Sequence, residues 1–280
     1  MKTLKLTLAV VLTAGLFYSC QEENLEKEGP VESAETLKQV EQKFLDLGVN
    51  PSGGIEPFIM DNEDGTSESG WLSHDIFLSK DDLVNMPALP QEDDADAEKL
   101  IRTRNLVRVP SSGKRTLRVV GRNNLPANAK EGLRRAVQNY NQLNLRFRMQ
   151  LSFGNGNGNI RVLYRPNELN PGGGVAGFPR NGNPFGTVKL GSTAGLDLRT
   201  TERLITHELG HCVGLRHSDY RIRFQCRNAG NEGQTEYGAI RVPGTNGSGR
   251  VTNAVMRACY ASSTPVNFTN DERTGLRRIY

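Results

Sequence analysis

In 280 residues, 36% hydrophobic and 24% charged, Lys and Arg outnumber Asp and Glu by 35 to 31, for a formal net charge of +4. That surplus does not describe a nucleic-acid binder, because the positives are mostly arginines scattered along the chain with no aromatic-interleaved motif among them. The four cysteines form no C-x-x-C pair, which excludes a cysteine-built zinc site.

Residues 1–20 begin with Lys2 and Lys5, continue through an apolar run over residues 6–18 and end at Ser19-Cys20. A positive start, a short apolar core and a small residue before the cut describe a secretory signal, too short for a comfortable membrane span. The stretch Leu16-Phe17-Tyr18-Ser19-Cys20 resembles a loose bacterial lipobox, which makes Cys20 the expected lipidation site and the membrane a partner through that anchor. The plainer alternative is an ordinary signal peptide with an incidental cysteine. Gln21-Glu22-Glu23 resembles the surface-export signals of some lipoproteins, so the expected location is the cell envelope, as an outer-membrane lipoprotein or a secreted form.

Charge then divides the chain. Residues 21–100 hold 21 Asp and Glu against 5 Lys and Arg, whereas residues 101–280 hold 10 against 28. Halves of opposite sign attract each other. The acidic part contains an amphipathic patch over residues 34–47, an expected strand over residues 71–78, and the polar run Gln91-Glu92-Asp93-Asp94-Ala95-Asp96, which reads as a solvated linker. Residues 21–104 are therefore read as an acidic pro-segment and linker docked on a catalytic domain over residues 105–280, with a disordered stalk as the alternative. Arg102-Thr103-Arg104 is the expected activation cut, on exposure and charge.

In the basic part, residues 116–121 read as a strand and residues 126–141 as a helix that turns Leu133, Ala136 and Val137 inward. Residues 145–153 alternate apolar and charged side chains, as a half-buried strand does. Gly154-Asn155-Gly156-Asn157-Gly158-Asn159 lacks the acidic ligands of a calcium site and reads as a flexible hairpin turn into a strand over residues 160–164. Glycine and proline dominate residues 167–184, and a short strand is expected over residues 186–190. Residues 269–280 should close the chain as a helix capped by Thr269 or Asn270, with Asp271 and Glu272 in its first turn.

Three of the four histidines fall in residues 207–217, which read H-E-x-x-H-x-x-G-x-x-H. Leu204, Ile205, Leu209, Cys212 and Val213 recur as on a helix over residues 200–213 with one buried side. His207 and His211, four apart, share one face of it. Glu208 stands one residue round, placed to reach a water as general base. Gly214 lets the chain leave in a left-handed turn and brings His217 back as a third ligand. Three protein nitrogens leave a fourth position open, the arrangement of a catalytic zinc site. A bare H-E-x-x-H can arise by chance, but each further fixed position cuts that rate by about an order of magnitude. Met256, in Asn253-Ala254-Val255-Met256-Arg257-Ala258-Cys259-Tyr260, is the only methionine after His217.

The extended motif with its downstream methionine resembles the metzincin metallopeptidases. Within them, Ile205-Thr206-His207 through His217-Ser218-Asp219, with Val255-Met256 and a cysteine close behind, resembles the dual-action HEIGH metallo-peptidases over roughly residues 70–280. The resemblance implies an α+β, metzincin-like zincin fold, with a mixed twisted sheet and two long helices above a loop-rich lower subdomain containing a Met-turn. It further implies Zn2+ on His207, His211 and His217, Met256 as the floor beneath it, and a monomeric endopeptidase acting on proteins or peptides. An edge strand within residues 174–190 would pair with extended substrate. A tyrosine that such enzymes carry two residues after the methionine is Ala258 here; Tyr260 and Tyr220 are alternatives, and no oxyanion residue is assigned.

Pro-segments of the astacin type end in Gly-Asp, with the aspartate on the metal. The corresponding residues here are His74-Asp75, which makes Asp75 the candidate latency ligand and His74 an alternative one. No cysteine follows Cys20 in the acidic part, so a cysteine switch is excluded. Cys212 is expected as a free core thiol and Cys226 with Cys259 as the disulfide, Cys212 with Cys259 being the other pairing. Two rival functions share this sequence: a non-catalytic envelope lipoprotein that uses the scaffold for binding, and a zinc peptidoglycan hydrolase.

Overall fold

The structure is a computed structural model that describes residues 34–49, 51, 54–63, 65–88, 100–219, 240–245, 253–259 and 264–280. The acidic part forms a small layer of its own. Helix α1 (Ala34–Asp46) buries Val40 and Phe44, four apart, and Leu47 just beyond, against Trp71, Ile76, Leu78 and Leu83. Strands β1 (Glu56–Asp61), β2 (Ser67–Ser73) and β3 (Ile76–Ser79) make an antiparallel sheet in that order. Ser79 and Asp82 then close a capping box on the short helix α2 (Lys80–Asn85). Residues 71–78 are thus not one strand but a hairpin. Ser73 pairs with Ile76, and His74 takes a left-handed φ of 60° in the two-residue turn, which turns Asp75 back toward the body of the protein.

Residues 100–103 belong to that body. Strand β4 (Ile101–Arg102) will pair with a strand far downstream, Thr103 N–H donates to Gly214 O at 2.9 Å and Arg216 N–H to Ile101 O at 2.9 Å. Ile101 and Thr103 are 0% and 4% exposed. The expected activation cut at residues 102–104 thus falls where Arg104 is exposed but Ile101 and Thr103 are buried and their backbone is already used in the fold. The linker at residues 91–96 lies outside the described residues.

Strand β5 (Arg115–Gly121) is followed by helix α3 (Ala127–Asn141), whose N-cap is Pro126, and by β6 (Phe147–Phe153), β7 (Ile160–Tyr164), β8 (Gly174–Val175) and β9 (Thr187–Leu190). The sheet runs β6-β5-β7-β9-β8, parallel except for β8. The hairpin expected at residues 154–159 is a crossover instead: β6 and β7 both pair in parallel with β5, from opposite sides. Gly158 makes that passage, where a Cβ would stand 2.8 Å from Val120 Cγ2 and 2.9 Å from Arg118 O.

Alternate residues of β9 serve different layers. Thr187 and Lys189 reach Asn62 Oδ1 and Ile59 O of the acidic sheet, at 2.5 and 3.1 Å, which leaves Val188 and Leu190 for the helical side. That side is α3 with α4 (Leu198–Cys212). Asp197 caps α4 by accepting from Thr200 N–H at 2.7 Å, so the helix starts earlier than apolar spacing alone indicates. The helices meet closely at Gly132, where a Cβ would lie 2.9 Å from Thr201 Cγ2. Strand β10 (Ile240–Arg241) completes the pair with β4, and α5 (Asn270–Ile279) closes the chain with a Thr269–Glu272 capping box.

Cys212 is a free, buried thiol and Cys259 is disulfide-bonded, which rules out Cys212 with Cys259. Cys226 lies outside the described residues, as do residues 1–33 with Cys20. Among the described residues no helix is long and apolar enough to cross a membrane.

Leu133, 0% exposed, packs on α3 against the sheet beside Gly121. Leu133→Ala should destabilise the fold by about 2–5 kcal/mol, read as a lower denaturant midpoint with an unchanged slope.

Candidate metal centre

Helix α4 is buried along residues 201–212, and its end decides where the third histidine goes. Gly214 sits at φ 98°, Leu215 N–H donates to Gly210 O and Gly214 N–H to His211 O, both at 2.9 Å. These two bonds and the left-handed glycine are a Schellman stop. It reverses the chain within a few residues and returns His217 beneath the two helical histidines.

Two of the three rings are fixed from behind. His207 Nδ1–H donates to Val255 O at 2.9 Å and His211 Nδ1–H to Leu215 O at 2.8 Å, so each imidazole is held in the tautomer whose Nε2 carries a lone pair. Those lone pairs converge: Nε2 of His207 lies 3.1 Å from that of His211 and 3.3 Å from that of His217. Burial pushes the His207 imidazole pKa down; for His211, burial and the two neighbouring rings push it well down. Neutral rings with facing lone pairs repel each other unless a cation sits between them. A tetrahedral zinc with Zn–N of about 2.0–2.1 Å separates its nitrogens by about 3.3 Å, which these spacings fit.

Asp75 arrives from the acidic layer. Its Oδ2 stands 3.2 Å from His207 Nε2, 3.1 Å from His217 Nε2 and 4.0 Å from His211 Nε2, and the four ligand atoms all lie within 4.8 Å of one another. Burial alone would raise its carboxyl pKa, but the imidazoles of His217, His207 and His211 gathered round it hold it well below the usual carboxylate range. Its Oδ1 is buried with no hydrogen-bond partner among the described residues. His74, the alternative ligand, lies in the turn with Nδ1 3.3 Å from Ser73 Oγ and is outside the cluster. The backbone around Asp75 is strand-paired to the sheet edge: Ala176 N–H donates to Asp75 O at 3.0 Å, Phe77 N–H to Ala176 O at 2.8 Å, and Ile76 bridges Ala176 in parallel. The edge expected within residues 174–190 is therefore present, and residues 75–77 lie along it.

Glu208 is 1% exposed, and its Oε2 has no hydrogen-bond partner among the described residues. Burial and the nearby charge of Asp75 push its carboxyl well above the usual range. Gly174 makes room for it, because a Cβ there would stand 2.5 Å from Glu208 Oε1. The abundance of glycine over residues 167–184 is plain in the sequence, but this role for one of them is not.

Met256 is fully buried below α4, where a Cβ on Gly210 would overlap its sulfur. Its backbone is held at both ends: Met256 N–H donates to Glu272 Oε1 at 3.0 Å, and Ser218 N–H to Met256 O at 2.7 Å. Arg203 donates to Val255 O and Arg257 O, and Ala258 N–H donates to Asp219 Oδ1 at 2.9 Å. Arg203 was not singled out from sequence. Glu272 was expected only as a first-turn acid of the closing helix and Asp219 only as part of the resembling run, and neither signal says anything of these bonds. Tyr220 and Tyr260 lie outside the described residues.

Residues 71–280 match the family model of the dual-action HEIGH metallo-peptidases. Among solved structures, one of myroilysin overlaps 62% of this chain and 97% of its own at 15% identity and TM-score 0.42. High choriolytic enzyme 1, a hatching-enzyme zinc protease from the medaka fish Oryzias latipes, overlaps 62% and 94% at 12% identity and TM-score 0.38. No curated protein matches the chain. With a match over three quarters of its length and a three-histidine, one-aspartate cluster at its centre, the chain belongs to the dual-action HEIGH metallo-peptidase family and is a zinc metallopeptidase.

Proposed function

We propose that this chain is the latent form of an exported zinc endopeptidase, with Glu208 as general base and Asp75 as the residue that blocks the metal. The observation that carries the proposal is the position of Asp75 Oδ2, 3.1 and 3.2 Å from two of the three converging histidine nitrogens. Zinc supplies Lewis acidity at that centre, polarising a scissile carbonyl and lowering the pKa of a water to about 7.

His207, His211 and His217 would hold the ion through Nε2, and three protein ligands would leave room for chemistry at it. Glu208 takes the proton of the attacking water and returns it to the leaving amine, and its site beside Gly174 puts the carboxylate at the edge strand where a peptide would lie. Two blocks operate together in the latent chain. Asp75 would take the remaining position on the ion, and the Asp75 carbonyl with the Phe77 N–H uses the hydrogen bonds of Ala176 that an extended substrate would use. Ion pairs fasten the layer down: Glu63 meets Arg122 at 2.9 Å and Arg165 at 2.5 Å. Activation requires a cut upstream of Leu100, because the chain from Leu100 onward is woven into the catalytic body. The leader-like residues 1–20 and Cys20 support export and lipid anchoring at the envelope.

The zinc-loaded full-length protein, after limited proteolysis, should cleave casein in a chelator-sensitive reaction. Glu208→Gln should lower that rate by roughly 10²–10⁴ while bound zinc, measured by elemental analysis, stays near one per chain. His217→Ala should lose the zinc itself. A Glu208→Gln protein that cleaves as fast as the parent would remove the general-base assignment.

Asp75→Ala in the uncleaved full-length chain should raise its peptidase rate about tenfold or more, the scale of one charge-assisted contact. Equal rates for parent and variant before proteolysis would refute latency through Asp75.

A further inference from the structure

Arg180, a few residues beyond the sheet edge at Ala176, has two kinds of support. Its charge partners come from the acidic layer: the guanidinium pairs with Glu68 Oε2 of β2 and with Asp82 Oδ2 of α2. Everything else that places it comes from the catalytic body. Arg180 opens a tight turn in which Arg180 N–H and Asn183 N–H donate to each other's carbonyls at 3.0 and 2.8 Å, with Asn181 and Gly182 at φ 52° and 78°. Arg108 N–H donates to Gly182 O at 2.8 Å, and Arg115 Nη2 donates to Asn183 Oδ1 at 2.6 Å, pinning the turn from the strand side. The guanidinium carbon lies 5.0 Å from the centroid of Phe185, whose N–H donates to Cys212 O at the end of the zinc helix. Arg180 is also four residues along the chain from Ala176, the residue that pairs with Ile76.

When the acidic layer leaves, both carboxylates go with it and the platform stays. What remains is a guanidinium on an aromatic shelf, one quarter exposed even in the covered state. Building on the peptidase reading, we infer that Arg180 is a specificity subsite of the released enzyme for an acidic side chain of the substrate, which Glu68 and Asp82 occupy in the latent chain. A planar, permanently charged fork favours a carboxylate over an amide at such a site through paired N–H···O bonds. Ser79, which begins the turn into α2, lies three residues beyond Ile76 along an extended strand, a span of about 10 Å. The preferred acid should therefore fall three or four residues from the residue at the metal.

The test uses zinc-loaded full-length protein processed by limited proteolysis, and a set of peptides that place a single Glu or its Gln counterpart at each of four positions on either side of the cleaved bond. At one of the outer positions kcat/KM for Glu should exceed that for Gln by about tenfold or more. Arg180→Gln should bring that ratio near one, Arg180→Lys should keep part of it, and Arg180→Glu should turn the preference toward Lys at the same position. A parent enzyme that cleaves Glu and Gln peptides equally at every position overturns the subsite while leaving the peptidase reading intact. So does an acidic preference that survives in Arg180→Gln. Failure to cleave any peptide, with zinc bound and the acidic layer removed, overturns the peptidase reading and the subsite with it.

Discussion

Three imidazole Nε2 atoms gathered at one point, that of His207 lying 3.1 Å from His211's and 3.3 Å from His217's, are the constraint on which this structure turns. Nothing apolar and no hydrogen bond satisfies that geometry, because two of the rings have already given their only proton to carbonyls of Val255 and Leu215. The arrangement makes sense only around a cation, and the fold works to keep it. Helix α4 is packed on every side, the Schellman stop delivers His217, and the methionine segment is bonded to the third-histidine segment through Ser218. Metal affinity of this kind is drawn from rigidity, since the cost of gathering the rings has been met by packing before the ion arrives.

The acidic layer interacts with that centre through complementary chemistry at several distances. Asp75 provides the charge nearest the histidines, the strand containing Ile76 meets the sheet edge, and Glu63, Glu68 and Asp82 meet Arg122, Arg165 and Arg180 farther out. Surface ion pairs each contribute little, but these act on elements already aligned by strand pairing and by the apolar cluster of Phe44, Trp71 and Leu78 with Phe178. The opposite net charges of the two halves therefore have a local meaning, distributed over named pairs.

The zinc helix was legible because one short segment contained all its information: apolar spacing, two histidines one turn apart, and a glycine where the left-handed stop falls. Asp75 was legible only as a resemblance, since nothing in the local sequence brings residue 75 to residue 207. The hairpin at residues 73–76 was missed because its turn residue is His74, which carries none of the usual glycine or asparagine signal, and hydrophobic residues continue on both sides. The Gly-Asn loop misled in the other direction: it has the composition of a hairpin, but partner choice in a sheet is a tertiary decision, and β5 stands between the strands it joins. Arg102 and Arg104 suggested exposure, which Arg104 has, but side-chain charge says nothing of the backbone beside them or of the buried Ile101, which the fold uses.

Glu272 binds the methionine backbone from the first turn of α5, and Tyr280 at the far end of that helix reaches Val213 O just past the zinc helix. The floor of the metal site is thus assembled from sequence made long after the histidines. During synthesis, at about 5–20 residues per second, His207 to His217 would emerge several seconds before the carboxylate that braces Met256 exists. The order of manufacture gives the chain an interval in which the metal-binding motif has been translated but its support has not, and in which the acidic layer, made first, is already available to cover it.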